Sequence, residues 1–316
     1  AFYSKWFMER LRAGYVKWYN PFNGVPLYVA FKKARLFVFW SKNPAPMLAK
    51  LPWLDESPID ILEREGRNYY FQFTMNDYDA EQIEPKVPPL ENRIRTFIEL
   101  SKRISHHARE RIVWRFDPLI LTDTLTPKIL LERIRRIGDQ IAPYTSRLVF
   151  SFIDINAYAK VANNLKRGGI SAREFVREEM LEVAEGIAAM TKEWNMAAGT
   201  CGELTNLPGI EHNRCVDDRL MVKCFSHDAE LMKFIGAKRH PGDPLFGTED
   251  TWTLDAYKKD AGQRAACGCI TSKDIGEYNT CPHLCHYCYA NANNAAALAN
   301  WERHRQYPHA ETITGR

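Results

Sequence analysis

Cys281-Pro282-His283-Leu284-Cys285-His286-Tyr287-Cys288 places three thiols in eight residues, spaced C-x3-C-x2-C. Three thiolates this close together can hold one metal centre. A cubane [4Fe–4S] cluster has four irons and usually takes four cysteines. Three cysteines leave one iron open to another ligand. Zinc is the alternative, and it takes four ligands. His283 or His286 would be the fourth, though both lie inside a tight loop and would crowd the metal. A disulfide with a spare thiol is the third reading, and it suits secreted chains rather than one with no secretory signal.

The eight cysteines stand at 201, 215, 224, 267, 269, 281, 285 and 288, with none in the first 200 residues. Such clustering in a large chain reads as metal binding in a reducing compartment, hence a cytoplasmic protein. Cys201, Cys215, Cys267 and Cys269 make a second set of four, the number a complete [4Fe–4S] cluster or a zinc site needs. Cys267 and Cys269 form a C-x-C pair, which is less usual than C-x2-C, and unligated thiols are the other reading. Cys224 sits in Leu220–Phe225, read as a helix, where a free cysteine behaves as a small apolar residue.

The elements that must position these residues alternate between short β-rich runs and amphipathic helices. Strands are expected at 26–31, 36–40, 69–74, 111–116, 147–153 and 196–200. Helices are expected at 5–14, 90–107, 127–141, 171–195 and 290–304, the fourth opened by a Ser-x-x-Glu capping box at Ser171. A further strand near 272–278 would feed the thiol loop. This rhythm predicts an α/β fold with a mostly parallel sheet. Each strand ends in polar residues: Ser41, Lys42 and Asn43, then Asn76 and Asp77, Arg115 and Asp117, Ser151 and Asp154, Cys201 and Glu203. In parallel barrels the carboxyl ends of strands build the active site. Arg115 lies inside an aromatic run, Trp114-Arg115-Phe116, so it needs an anionic partner. Asp117 offers a structural ion pair and a ligand the functional alternative. Pro44 and Pro46 stiffen the loop after Lys42, which suits either a plain turn or a site for a zwitterion.

The cysteine spacing, with an aromatic residue just before the third thiol, resembles the cluster loop of the radical S-adenosylmethionine (SAM) superfamily. The stretches FVFWSKNPAPM, VWRFDP, SFIDI, AGTCGE, CGC and DIGEYNTCPHLCHYCYAN also resemble an uncharacterised bacterial domain-of-unknown-function family along nearly the whole chain. The superfamily resemblance implies a partial parallel (β/α) barrel. Its cluster loop usually follows the first strand, so a loop at 281–288 implies a circularly permuted strand order. It implies that Cys281, Cys285 and Cys288 hold a catalytic [4Fe–4S] cluster whose open iron binds SAM, and that Tyr287 lies against the adenine. Ser41, Lys42 and Asn43 would stand where relatives use a Gly-Gly-Glu turn, which this chain lacks. Arg115, Asp117 and Ser151 would meet the SAM ribose or carboxylate, or substrate. Cys201, Cys215, Cys267 and Cys269 would hold an auxiliary cluster. A flavodoxin or ferredoxin would supply electrons, and the enzyme would be oxygen-sensitive.

The 316 residues divide into a barrel part at 1–200, a cysteine-containing segment at 201–270, and the cluster loop with its helix at 271–316. The chain opens at Ala1 rather than Met, which leaves room for a short preceding strand. No apolar run reaches the length of a membrane span. A net charge of +4 permits a nucleic-acid partner without demanding one. The basic runs at 105–109, 133–136 and 301–305 are interspersed with glutamate and read mainly as solvated helix faces. Trp40, Trp53, Trp114 and Trp252 read as core. The expected function is thus a radical SAM enzyme acting on an unidentified substrate. A nucleic-acid-acting radical enzyme akin to spore photoproduct lyase is one rival. A non-catalytic iron–sulfur or zinc protein for electron transfer or sensing is the other.

Overall fold

The computed structural model describes residues 2–242, 250–255 and 257–316. In chain order the first elements are α1 (Ser4–Ala13), β1 (Tyr15–Tyr19), β2 (Pro26–Ala30), β3 (Phe37–Ser41), α2 (Pro58–Arg64), β4 (Tyr69–Thr74), α3 (Leu90–Arg103) and α4 (Ala108–Arg111). Then come β5 (Ile112–Leu119), β6 (Leu121–Thr122), α5 (Pro127–Ile141), β7 (Arg147–Phe152), α6 (Ala159–Arg167), β8 (Ala172–Arg173) and α7 (Arg177–Glu193). The last are β9 (Ala197–Thr200), β10 (Glu211–His212), α8 (Asp218–Phe225), α9 (Ala229–Ile235), β11 (Ala237–His240), β12 (Thr251–Leu254) and α10 (Asn294–Gln306).

Six strands form one parallel sheet in the order β10-β9-β7-β5-β4-β3. The order never reverses. Right-handed crossovers that all step the same way put their helices on one face. The burial follows that geometry. Tyr69, Phe71 and Phe73 of β4, Trp114 and Phe116 of β5, and Leu148 and Phe150 of β7 share a core with α3, α5 and α7. The alternate residues Tyr70, Val113 and Val149 face the other way, into a second core. No crossover helix covers that face. Instead α8 and α9 fold back over it with Leu220, Met221, Phe225, Leu231 and Ile235. β4 is therefore buried on both faces along its whole length, as an inner parallel strand should be.

The sheet is open rather than a closed barrel. The expected strand near 272–278 is not formed, and the region runs as irregular chain with turns. The thiol loop is therefore not fed by a strand, and no strand after β10 joins the main sheet among the described residues. Pro26–Ala30 is a strand, as expected, but it pairs antiparallel with β1, outside the main sheet. The main sheet also passes residue 200, because β10 adds to β9.

Helix boundaries shifted where local bonding competes. The helix expected from Ser171 begins at Arg177, because Ala172 and Arg173 pair with β6 instead. Its opening is capped by the Glu179 carboxylate, which accepts from the Val176 N–H at 3.1 Å. The helix expected to 107 stops at Arg103, and the one expected from 290 starts at Asn294, where the Asn293 side chain caps the Ala296 N–H at 2.8 Å. α1 ends at Gly14, whose φ of +84° is the left-handed C-cap that glycine adopts without strain. Trp114 is core, but Trp40 is 49% and Trp53 37% exposed. β3 is the edge strand of the sheet, so Trp40 lacks a neighbour on one side.

Phe97 of α3 stacks on Phe73 of β4, with ring centroids 5.2 Å apart and both rings fully buried. Phe97→Ala should cost about 3–5 kcal/mol of stability, measured by urea unfolding.

Candidate metal centre

The residues 279–290 form a closed loop with little regular structure, held from several sides. The Asn279 N–H bonds the Ala290 carbonyl at 3.1 Å, joining its ends. Asn291 Nδ2 donates to the Cys281 carbonyl at 2.8 Å, and Asn164 Nδ2 of α6 donates to the Cys288 carbonyl at 2.7 Å. The segment after β4 grips the other side. The His286 N–H donates to the Ile83 carbonyl at 3.0 Å and the Lys86 N–H to the His283 carbonyl at 3.2 Å. Leu284 sits at φ +59°, a left-handed conformation that costs a branched side chain about 1–2 kcal/mol. Such outliers cluster at functional sites.

The three thiols influence one another. Burial raises the Cys281 pKa, and repulsion from Cys288 adds to that. Burial also raises Cys285, helped by the negative charge of Glu84 and by the other two thiols. The Asn291 N–H points at Cys288 Sγ, 3.4 Å away. His283 Nδ1–H donates to the Lys86 carbonyl, 2.9 Å away, while its Nε2 has no partner. Burial lowers its pKa to about 4, so its ring is neutral at physiological pH. Among the described residues no three His, Cys, Asp or Glu side chains are gathered tightly enough to make a ready metal shell. A metal bound here would have to draw the thiols in and displace their protons.

Beside the loop lies a polar network at the carboxyl ends of β3, β4 and β5. Glu84, fully buried, accepts from Lys42 Nζ at 2.9 Å and from Asn76 Nδ2 at 2.9 Å. The Tyr287 hydroxyl donates to the same oxygen. The Lys42 ammonium also lies 5.3 Å from the Tyr287 ring centre, a cation–π distance. Glu84 Oε2 has no hydrogen-bond partner, and its nearest cation is Arg93 at 3.7 Å. Asn76 continues the network: its Oδ1 accepts from the Asp117 N–H at 2.8 Å and its Nδ2 reaches the Asp117 carbonyl at 3.1 Å. Asp117 in turn accepts from Arg115 at 2.6 and 3.1 Å and from the Ser151 hydroxyl.

Of the residues singled out from the sequence, Lys42 and Tyr287 meet directly, and Arg115, Asp117 and Ser151 meet one another. Ser41 and Asn43 are spent on local turns. The Asn43 N–H donates to Ser41 Oγ at 3.0 Å, and the Ala45 N–H to Asn43 Oδ1 at 3.2 Å. The buried Arg115 finds its anion in Asp117, so the structural ion pair is formed. Glu84 was missed, because nothing in Gln82-Ile83-Glu84-Pro85 marks one acidic loop residue above others. Asn76 was legible only as a polar strand end.

Burial alone would raise the Glu84 pKa, but the charges of Lys42 and Arg93 outweigh it and the pKa falls below the usual carboxylate range. A folded pKa below the unfolded one means stability is contributed above the unfolded pKa. That stability is lost as pH falls through the folded value. Glu84→Gln keeps the shape but leaves Lys42 without its carboxylate. It should cost about 3–5 kcal/mol at neutral pH, and the gap to wild type should close in acid. Urea unfolding across a pH series reads this, and a gap independent of pH would contradict it.

Searches of curated proteins and of solved structures find no match. The model of the family described as Domain of unknown function (DUF1848) matches residues 1–290. That span takes in the whole parallel sheet, the Glu84 network and all eight cysteines. The chain therefore belongs to the DUF1848 family.

Proposed function

We propose that this chain is a radical SAM enzyme whose Cys281, Cys285 and Cys288 hold a [4Fe–4S] cluster. The observation that carries the reading is where the three-thiol loop docks: on the carboxyl ends of parallel strands, against a buried carboxylate and a lysine. When bound, the cluster and SAM supply one-electron cleavage of the sulfonium to methionine and a 5′-deoxyadenosyl radical that takes hydrogen from substrate, the electron coming from a flavodoxin- or ferredoxin-type reductant.

The donor set fits that group. The cysteines that might have completed a four-thiol shell lie elsewhere, since the Cys267-Cys269 pair gathers with Cys215. The loop is left with three thiols, which is what an open iron requires. The unpartnered Glu84 Oε2 suits the ammonium of an amino acid. An ammonium that competes with Lys42 for Glu84 would satisfy that oxygen and free Lys42 for the carboxylate. Tyr287 orients Glu84 through its hydroxyl. The substrate would lie along the neighbouring strand ends, near Asp117, Ser151 and the exposed ring of Tyr289.

A zinc or four-ligand centre is favoured by one observation, the unpartnered Nε2 of His283. The basic residues of α5 give the nucleic-acid rival little support. Arg133 pairs with Glu81, Arg135 with Glu193 and Arg136 with Asp77.

Anaerobic reconstitution followed by electron paramagnetic resonance of the reduced protein tests the reading. The signal should change on adding SAM, and Cys285→Ala should abolish both cluster and change while circular dichroism stays native. A cluster signal indifferent to SAM, or zinc in place of iron at the loop, would refute the enzyme.

A further inference from the structure

Cys201, Cys215, Cys267 and Cys269 come from three separate stretches of chain and pack at the second core, on the face of the sheet that α8 and α9 also cover. Cys201 follows β9, Cys215 precedes α8, and the Cys267-Cys269 pair is held against the segment before α8 by the Ile270 N–H, which donates to the Val216 carbonyl at 3.1 Å. Cys201 Sγ and Cys215 Sγ are 3.4 Å apart, and Cys215 also interacts with Cys269. All four thiols are free rather than in disulfides.

The groups around them donate to sulfur. The Val216 N–H points at Cys269 Sγ from 3.3 Å, and the Cys269 N–H at Cys267 Sγ from 3.5 Å. Asn213 Nδ2 is 3.5 Å from Cys215 Sγ. Arg115 Nη1 is 2.9 Å from the same sulfur, and this guanidinium is 3% exposed. The neighbouring thiols and burial on balance raise the Cys201 and Cys215 pKa values, so these thiols are protonated without metal, while the donors and the buried cation are placed to stabilise sulfur that a metal has made anionic. Cys224 packs in the same second core as Cys215 and Cys269, with Leu220, Met221 and Phe225, and behaves as a small apolar residue.

We propose that Cys201, Cys215, Cys267 and Cys269 form a second, four-thiolate metal centre, separate from the cluster loop. The ligand chemistry is that of a thiophilic metal, either a single tetrahedral ion or an iron–sulfur cluster. Zinc–sulfur bonds of ~2.3 Å place tetrahedral sulfurs about 3.8 Å apart, close to the Cys201–Cys215 spacing. Closing the shell draws the Cys267-Cys269 segment toward Cys201. Binding a divalent ion releases the four thiol protons to solvent and leaves a dianionic centre, which Arg115 partly offsets. The site stands independently of the reading given to Cys281, Cys285 and Cys288.

The test is metal and acid-labile sulfide analysis of the full chain, purified anaerobically with iron and zinc both supplied. In the variant carrying Cys281→Ala, Cys285→Ala and Cys288→Ala, the second site should retain about one zinc, or about four irons with matching sulfide. Adding Cys215→Ser and Cys269→Ser should remove that metal. A folded triple variant without stoichiometric metal overturns the proposal. Wild type gives a readout should the variants not fold. About eight irons, or about four irons with one zinc, supports the second centre, whereas a metal content left unchanged by Cys215→Ser and Cys269→Ser alone overturns it. Failure of the enzyme reading shows separately, as a signal indifferent to SAM.

Discussion

A single buried carboxylate ties the thiol loop to the sheet. Glu84 brings no apolar surface and is removed from water, which is costly for a charge unless partners surround it. Its partners come from distant parts of the chain: Lys42 after β3, Asn76 after β4, Arg93 on α3 and Tyr287 within the loop itself. In the docked loop the Tyr287 hydroxyl meets Glu84. The thiols on either side of Tyr287 are placed by the same contact. Asn76 then carries the bonding on to Asp117 and Arg115, and Arg115 reaches Cys215. The two groups of cysteines are thus the two ends of one continuous polar path across the strand ends.

The sheet makes room for this arrangement through its strand order. Because the six strands are added in sequence, the crossover helices share one face and leave the other to be covered by something else. That cover comes from residues after β10: α8 and α9 over the apolar part, and the cysteine-bearing segments over the polar part near Arg115. The covering chain brings mainly thiols, aliphatic side chains and short turns. The candidate ligands and the core residues come from the same stretch, which would place a bound centre inside the packing rather than on a surface loop.

The strands of the sheet were legible because they are compact aromatic and β-branched runs that stop at polar residues. Tyr69–Thr74 and Pro127–Ile141 match their expected limits to the residue. The errors fell where short-range pattern and long-range pairing disagree. Ser171 carries a good capping signal, yet the chain there is taken up by a two-residue pairing with β6. The 272–278 stretch was expected to be a strand because a cluster loop of this kind usually follows one. It carries no alternating apolar pattern of its own, and no sheet edge receives it.

What the sequence alone determined is the chemistry available: three thiols at loop spacing, four more in the same third of the chain, and a parallel α/β rhythm to carry them. These are local properties, set by residue type and by spacing over a few positions. Tertiary structure alone decided which groups meet. Glu84 gains its role only because four segments converge on it, and Lys42 is distinguished from Ser41 and Asn43 only by what its ammonium reaches. Cysteine count alone groups Cys267 and Cys269 with Cys201 and Cys215, but the contact of Cys269 with Cys215 across the intervening chain is a matter of packing. Burial and charge pairing are properties of the folded neighbourhood, and no window along the chain contains them.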